Sequence, residues 1–104
     1  MANNTLTALP ASIGSLTALD ILDVSNNDLT SLPAEIDALS NLDLLNVSYN
    51  QLTTLPSDLS GLTDLDSLMM SHNQLATLPS QLNQLAALTV LDASFNELTS
   101  LAGL

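Results

Sequence analysis

Asparagine returns every 23 residues without a slip, at Asn4, Asn27, Asn50, Asn73 and Asn96. A strict period of this length points to a stacked array, because a unit of about 20–30 residues cannot bury its apolar side alone. The other columns keep the same phase. Leu6, Leu29, Leu52, Leu75 and Leu98 follow the asparagines, and Leu9, Leu32, Leu55, Leu78 and Leu101 form the next column. Pro10, Pro33, Pro56 and Pro79 come directly after, then Ile13, Ile36, Leu59 and Leu82. Leu16, Leu39, Leu62 and Leu85 lie three residues further on, and Leu19, Leu42, Leu65 and Leu88 three beyond those. Leucine supplies 26 of the 104 residues, so the core is built from one aliphatic shape repeated in register.

Within each unit the pattern changes period. Leu22-Asp23-Val24 and its equivalents Leu45-Asn46-Val47, Leu68-Met69-Met70 and Leu91-Asp92-Ala93 place apolar residues two apart, as in short half-buried strands. An Asn-containing turn follows, then Leu-Pro. Proline suits the first position of a helical turn, where its missing N–H would lack a helical partner anyway. Ile36, Leu39 and Leu42 then recur every three residues, one stripe on a short or 3₁₀-like helix. Neighbouring strands are expected to pair in parallel.

Leu19-x-x-Leu22-x-Val24-x-x-Asn27-x-Leu29 resembles the leucine-rich-repeat signature, and the match recurs from Leu42, Leu65 and Leu88. The continuation, Leu-Thr-x-Leu-Pro-x-x-Ile-x-x-Leu, is similar to the 23-residue class of Ras-group, scribble-type and many bacterial repeat proteins. The resemblance implies an α/β solenoid of about four full repeats. It would be a curved right-handed superhelix with a parallel β-sheet on the concave face and short helical or 3₁₀ segments on the convex face. Residues 1–104 read as one such domain without recognisable capping repeats.

Charge narrows the partner. Eleven Asp and Glu residues face no Lys or Arg, a formal net charge of −11. Nucleic acid and anionic lipid both demand basic side chains, so neither is expected as a partner. No apolar run approaches the ~20 residues of a membrane span. Met1-Ala2-Asn3-Asn4-Thr5 lacks the basic flank and apolar run of a secretory signal, and no compartment is assigned. With no cysteine, disulfides and thiolate chemistry are absent. The uncompensated acids repel one another, so added monovalent salt should raise the melting temperature. A thermal melt at increasing NaCl checks this; a flat or falling midpoint would contradict it.

Function in a stacked array reads down columns. The asparagine column is expected to bond the backbone of adjacent turns. Ser25, Ser48, Ser71 and Ser94 form an unbroken column, but the sole histidine, His72, adjoins Ser71 in the chain and points away from it along a strand, so no nucleophile–base pair is expected. Asp20, Asp43 and Asp66 stack at the strand entries; they read as solvated charge, since no D-x-D-x-D loop supplies the oxygens calcium needs. The ladder of Thr7, Thr30, Thr53 and Thr99 is ordinary for this repeat pattern.

The outward strand positions are Ile21, Asp23 and Ser25; Leu44, Asn46 and Ser48; Ser67, Met69 and Ser71; and Val90, Asp92 and Ser94. Stacked apolar residues at Ile21, Leu44, Met69 and Val90 make a patch where solvent is expected. Beside it runs the column of Asn26, Tyr49, His72 and Phe95, holding both aromatics of the chain. The expected function is protein binding on this concave face, through Ile21, Asp23, Leu44, Asn46, Tyr49, Met69, His72, Val90, Asp92 and Phe95. The alternative is self-association into a homo-oligomer through uncapped ends. There Leu6, Leu9, Ile13 and Leu16 would lie open on one side, and Leu98, Leu101 and Leu104 on the other. No motif for phosphate, metal or nucleophile chemistry stands out, so neither a cofactor nor an enzymatic activity is expected.

Overall fold

The computed structural model describes residues 4–56, 58–78 and 85–98. Four strands of three residues each form one parallel sheet in sequence order: β1 (Ile21–Asp23), β2 (Leu44–Asn46), β3 (Ser67–Met69) and β4 (Val90–Asp92). The register is the sequence period itself. Leu22 lies opposite Leu45, Leu45 opposite Leu68, and Leu68 opposite Leu91, each 23 residues on. The sheet lines the concave side of a solenoid of about four repeats, as the column pattern anticipates.

Inter-repeat bonding runs well beyond the three-residue strands. It begins where Asp43 N–H donates to the Asp20 carbonyl at 2.7 Å. It continues with Val24 N–H to Asn46, Asn26 N–H to Ser48 and Gln51 N–H to Leu29, all between 2.8 and 3.0 Å. The same bonds recur between the second and third repeats and between the third and fourth. Continuous backbone pairing explains why strands too short to stand alone hold their register.

The convex side follows from the apolar spacing of three. A 3₁₀ turn has three residues per turn, so side chains at i and i+3 share one side. The 3₁₀ segments Ala11–Ser15 and Ala34–Ala38 each start after proline and bury one isoleucine, Ile13 and Ile36. The i to i+3 bonds carry on down the stripe, from Leu39 N–H to Ile36 and from Leu42 N–H to Leu39. In the third repeat the described residues form no 3₁₀ segment, yet Leu62 N–H still reaches the Leu59 carbonyl at 3.1 Å. The leucine positions thus fix the curve of the chain even where the helical turn is incomplete.

One core runs along the array. Leu29, Ile36, Leu39, Leu42, Leu52, Leu62, Leu65 and Leu75 are wholly buried. The end-facing residues differ from expectation. Leu9 and Ile13 are buried and Leu6 is half-buried, while Leu16 alone of that set is exposed. The first three turn inward against the core cluster, so the second repeat covers them from the side. Among the described residues no helix is long and apolar enough to cross a membrane.

Close approach of successive convex turns constrains one glycine. Gly61 N–H donates to the Asp37 carboxylate at 2.6 Å, and a Cβ on Gly61 would lie inside the contact radius of the Asp37 carbonyl oxygen. Because the obstacle is backbone, relief requires the turns to separate. Gly61→Ala is expected to cost about 1–3 kcal/mol, as overpacking does. Urea titration reads it, and an unchanged midpoint would show that these turns slide freely.

Candidate interaction surface

The asparagine column does what its spacing suggests. Asn50 Nδ2 donates to the carbonyls of Val47 (2.9 Å) and Ser48 (3.2 Å) in its own repeat and of Val24 (3.1 Å) in the one before. Its Oδ1 accepts Leu29 N–H at 3.0 Å. Asn73 repeats the arrangement one unit on, and Asn96 bonds Leu75 N–H, Met70 and Ala93 in the same way. These side chains close the turn that leaves each strand and so set the position of the residue just before them.

That residue carries an uncommon backbone. Asn26, Tyr49, His72 and Phe95 have φ of 57°, 57°, 56° and 56°, in the left-handed region. Asparagine tolerates this region; bulky side chains enter it at a cost. The turn gives them a common direction, and the sheet spacing of ~4.8 Å brings consecutive rings into contact. Tyr49 and His72 stack with centroids 4.1 Å apart and planes 10° from parallel. His72 and Phe95 stack at 4.3 Å and 9°. Tyr49 and Phe95 remain exposed, at 52% and 73%. His72, one of the expected contact residues, is half-buried between two rings.

The ladder's effect on stability is a balance. Each stacked pair contributes about 0.5–1.5 kcal/mol, and each left-handed bulky residue costs about 1–2 kcal/mol. Replacing Tyr49, His72 and Phe95 together by Asn, the residue that Asn26 already places in this turn, should therefore leave unfolding free energy within about 2 kcal/mol. Denaturant titration tests this; a collapse of the fold would make the ladder a structural element.

The remaining proposed contact residues divide cleanly. Ile21, Asp23 and Val90 are exposed on the sheet face, and Leu44, Asn46, Met69 and Asp92 are half-buried there. Ile21, Leu44, Ser67 and Val90 form one row in register, and Asp23, Asn46, Met69 and Asp92 the next. The serines depart from the expected outward display. Ser25, Ser48 and Ser71 are buried, and of the column only Ser94 is exposed. The chain leaves the strand there, and the hydroxyls turn into local bonds. Ser25 Oγ donates to Asp23 Oδ1 at 2.6 Å, Ser94 Oγ to Asp92 Oδ1 at 2.6 Å, and Ser48 Oγ accepts Ser71 N–H at 3.1 Å.

These bonds act on the acids. The Ser25 hydroxyl, helped by the Ser25 amide, holds the Asp23 carboxyl below the usual carboxylate range. The Ser94 hydroxyl and amide do the same for Asp92, with a further contribution from His72. At the strand entries Asp20 and Asp43 are exposed, and Thr89 Oγ1 donates to the Asp66 carboxylate. Among the described residues no three His, Cys, Asp or Glu side chains gather as a metal group, and no enclosed pocket forms. Of the proposed end contacts, Leu98 is half-buried against the core, and Leu101 and Leu104 lie outside the described residues.

Comparison with known proteins agrees with the architecture. A leucine-rich-repeat protein from Leptospira interrogans superimposes with a TM-score of 0.90 at 38% identity, covering 93% of this chain and 25% of that one. The leucine-rich repeat domain of the type III effector XopL gives a TM-score of 0.86 at 30% identity, covering 92% of this chain and 36% of that one. The chain thus spans about a quarter to a third of these relatives. No curated protein matches it. This repeat fold is typically a non-enzymatic scaffold. The profile of the leucine-rich repeat region family matches residues 1–102, and with the asparagine ladder, the parallel sheet and the 23-residue register already described, the chain belongs to the leucine-rich-repeat family.

Proposed function

We propose that this chain is a protein-interaction module that engages its partner on the concave sheet face. The observation that carries the reading is the row of Ile21, Leu44, Ser67 and Val90 in register on four successive strands, with Ile21 and Val90 exposed and Leu44 half-buried, beside the exposed edge of the aromatic ladder. Ile21 and Leu44 are direct neighbours, Met69 lies in the next row between Leu44 and Val90, and apolar side chains gathered on an open face mark contact surfaces. Aromatic groups held rigid lose little entropy on binding and dominate interface energies. The family supports protein binding in general.

The test is a fragment-display selection against the folded chain, followed by mapping of the recovered binders. Ile21→Ser, Leu44→Ser and Phe95→Asn should each weaken those binders at least about tenfold. Convex changes at Ser12 or Thr53, both exposed, should leave them unaffected. Binders that depend on the convex positions and ignore Ile21 and Leu44 would overturn the reading.

A further inference from the structure

We propose that the occupant of the concave face is a basic amphipathic α-helix of a partner protein, lying along the solenoid axis across the four strands. This rests on the concave face being the contact surface, and it adds the partner's shape and charge.

Dimensions favour a helix. Each strand is three residues long, so the face is about 10 Å across, close to the 10–12 Å diameter of an α-helix with its side chains. Along the axis the rows repeat every ~4.8 Å, and a helix advances about 5.4 Å per turn. One helix turn therefore meets one repeat, and three turns drift by only about 2 Å across the sheet. An extended segment presents same-side residues about 6.6 Å apart and would fall out of step by the second repeat. Leucine-type residues at i, i+4 and i+11 of the partner would sit over Ile21, Leu44 and Val90, with i+7 over Ser67 between them.

Charge selects the flanks of that helix. The apolar row is bordered on one side by Asp20, Asp43 and Asp66 at the strand entries. On the other side lie Asp23 and Asp92, each accepting a serine hydroxyl bond at 2.6 Å. The chain has no Lys or Arg to pair with any of them. Their fields add, and an apolar seam between acidic margins matches a helix whose apolar stripe is bordered by Lys or Arg. The ladder contributes at the rim. His72, stacked on both faces, offers only an edge, while Tyr49 and Phe95 each stack on one face and stay exposed to the partner's aliphatic stems.

The experiment uses a fluorescein-labelled, helix-locked peptide of about fourteen residues with leucines at i, i+4, i+7 and i+11 and lysines alongside. Three controls accompany it: the same composition with leucines dispersed around the helix, a version with Glu for Lys, and a version broken by two prolines. Anisotropy titration should show the first peptide binding at least about tenfold tighter than the dispersed and proline-broken ones, with no binding of the acidic one. Affinity should fall as salt rises. Replacing Asp20, Asp43 and Asp66 by Asn should weaken the first peptide at least about tenfold, whereas Asp58→Asn on the exposed convex side should change it less than about twofold. Leu44→Glu is an independent variant expected to abolish binding, and circular dichroism confirms the fold of each. Equal binding of the dispersed or proline-broken peptide overturns the helix, as does no binding of the first. If that happens while display-selected binders still depend on Ile21 and Leu44, the helix is wrong and the interaction module stands. If those binders also ignore the face, both fall.

Discussion

Leu45→Ala is expected to destabilise the fold by about 2–5 kcal/mol, while Leu44→Ser, at a half-buried position one residue earlier, costs only about 1 kcal/mol. Leu45 is 2% exposed, with Leu22 and Leu68 as its register partners in the flanking strands. Removing three carbons there opens a cavity shared by three repeats, in an interior with little room to relax. Leu44 points to the open face, where a smaller side chain leaves no void. Against a typical total of about 5–15 kcal/mol, the larger loss is a substantial share of all stability. Urea denaturation of both variants decides the matter. Comparable losses would mean that the strand is rotated by one residue in solution, which would move Ile21 and Val90 off the concave face as well.

Asn50→Ala is expected to cost about 3 kcal/mol without any apolar burial being lost. The side chain links three carbonyls and one amide across two repeats. Val24 keeps a second donor in Asn27 Nδ2 at 2.8 Å, but the buried Leu29 N–H has no replacement for the Asn50 oxygen. An orphaned buried donor costs about 1–3 kcal/mol, and the remaining lost bonds add to it. Asn50→Asp separates the two roles. It preserves the acceptor for Leu29 but turns a carboxylate toward the carbonyls of Val24 and Val47, so it should be at least as damaging at neutral pH. An alanine variant as stable as the parent would show that water substitutes for the amide. A reduced denaturant slope would show that the first repeat has uncoupled from the rest.

The columns made most of this architecture legible. A period of 23 fixes which residues become neighbours, so the core, the strand register and the asparagine bonds could be read before any coordinate. The ladder was half legible. Its residues stood out as a column, but the left-handed backbone did not, because three of the four positions hold bulky residues and none holds glycine. Asn26 was the signal: a residue at ease in that region marks the conformation for its equivalents. Once the turn is known, the row spacing requires Tyr49, His72 and Phe95 to stack. The serines misled because strict alternation was extended past the strand end, where Ser25 bends back to Asp23. Leu9 and Ile13 misled for another reason. Their column faces the interior of its own turn, which a linear pattern does not distinguish from the stacking direction.

The asparagine bonds have a direction that the backbone bonds lack. Strand pairing passes N–H groups both ways between repeats, but each asparagine completes the turn of the repeat before it: Leu6 N–H relies on Asn27, Leu29 on Asn50, Leu52 on Asn73 and Leu75 on Asn96. Deleting a unit from the front leaves the next asparagine with acceptors in its own repeat, as Asn50 has in Val47 and Ser48. Deleting one from the rear strands a buried amide in the unit that stays. Arrays built this way are easier to shorten at the head than at the tail, and a graft that borrows some of these repeats should always take the following asparagine with them.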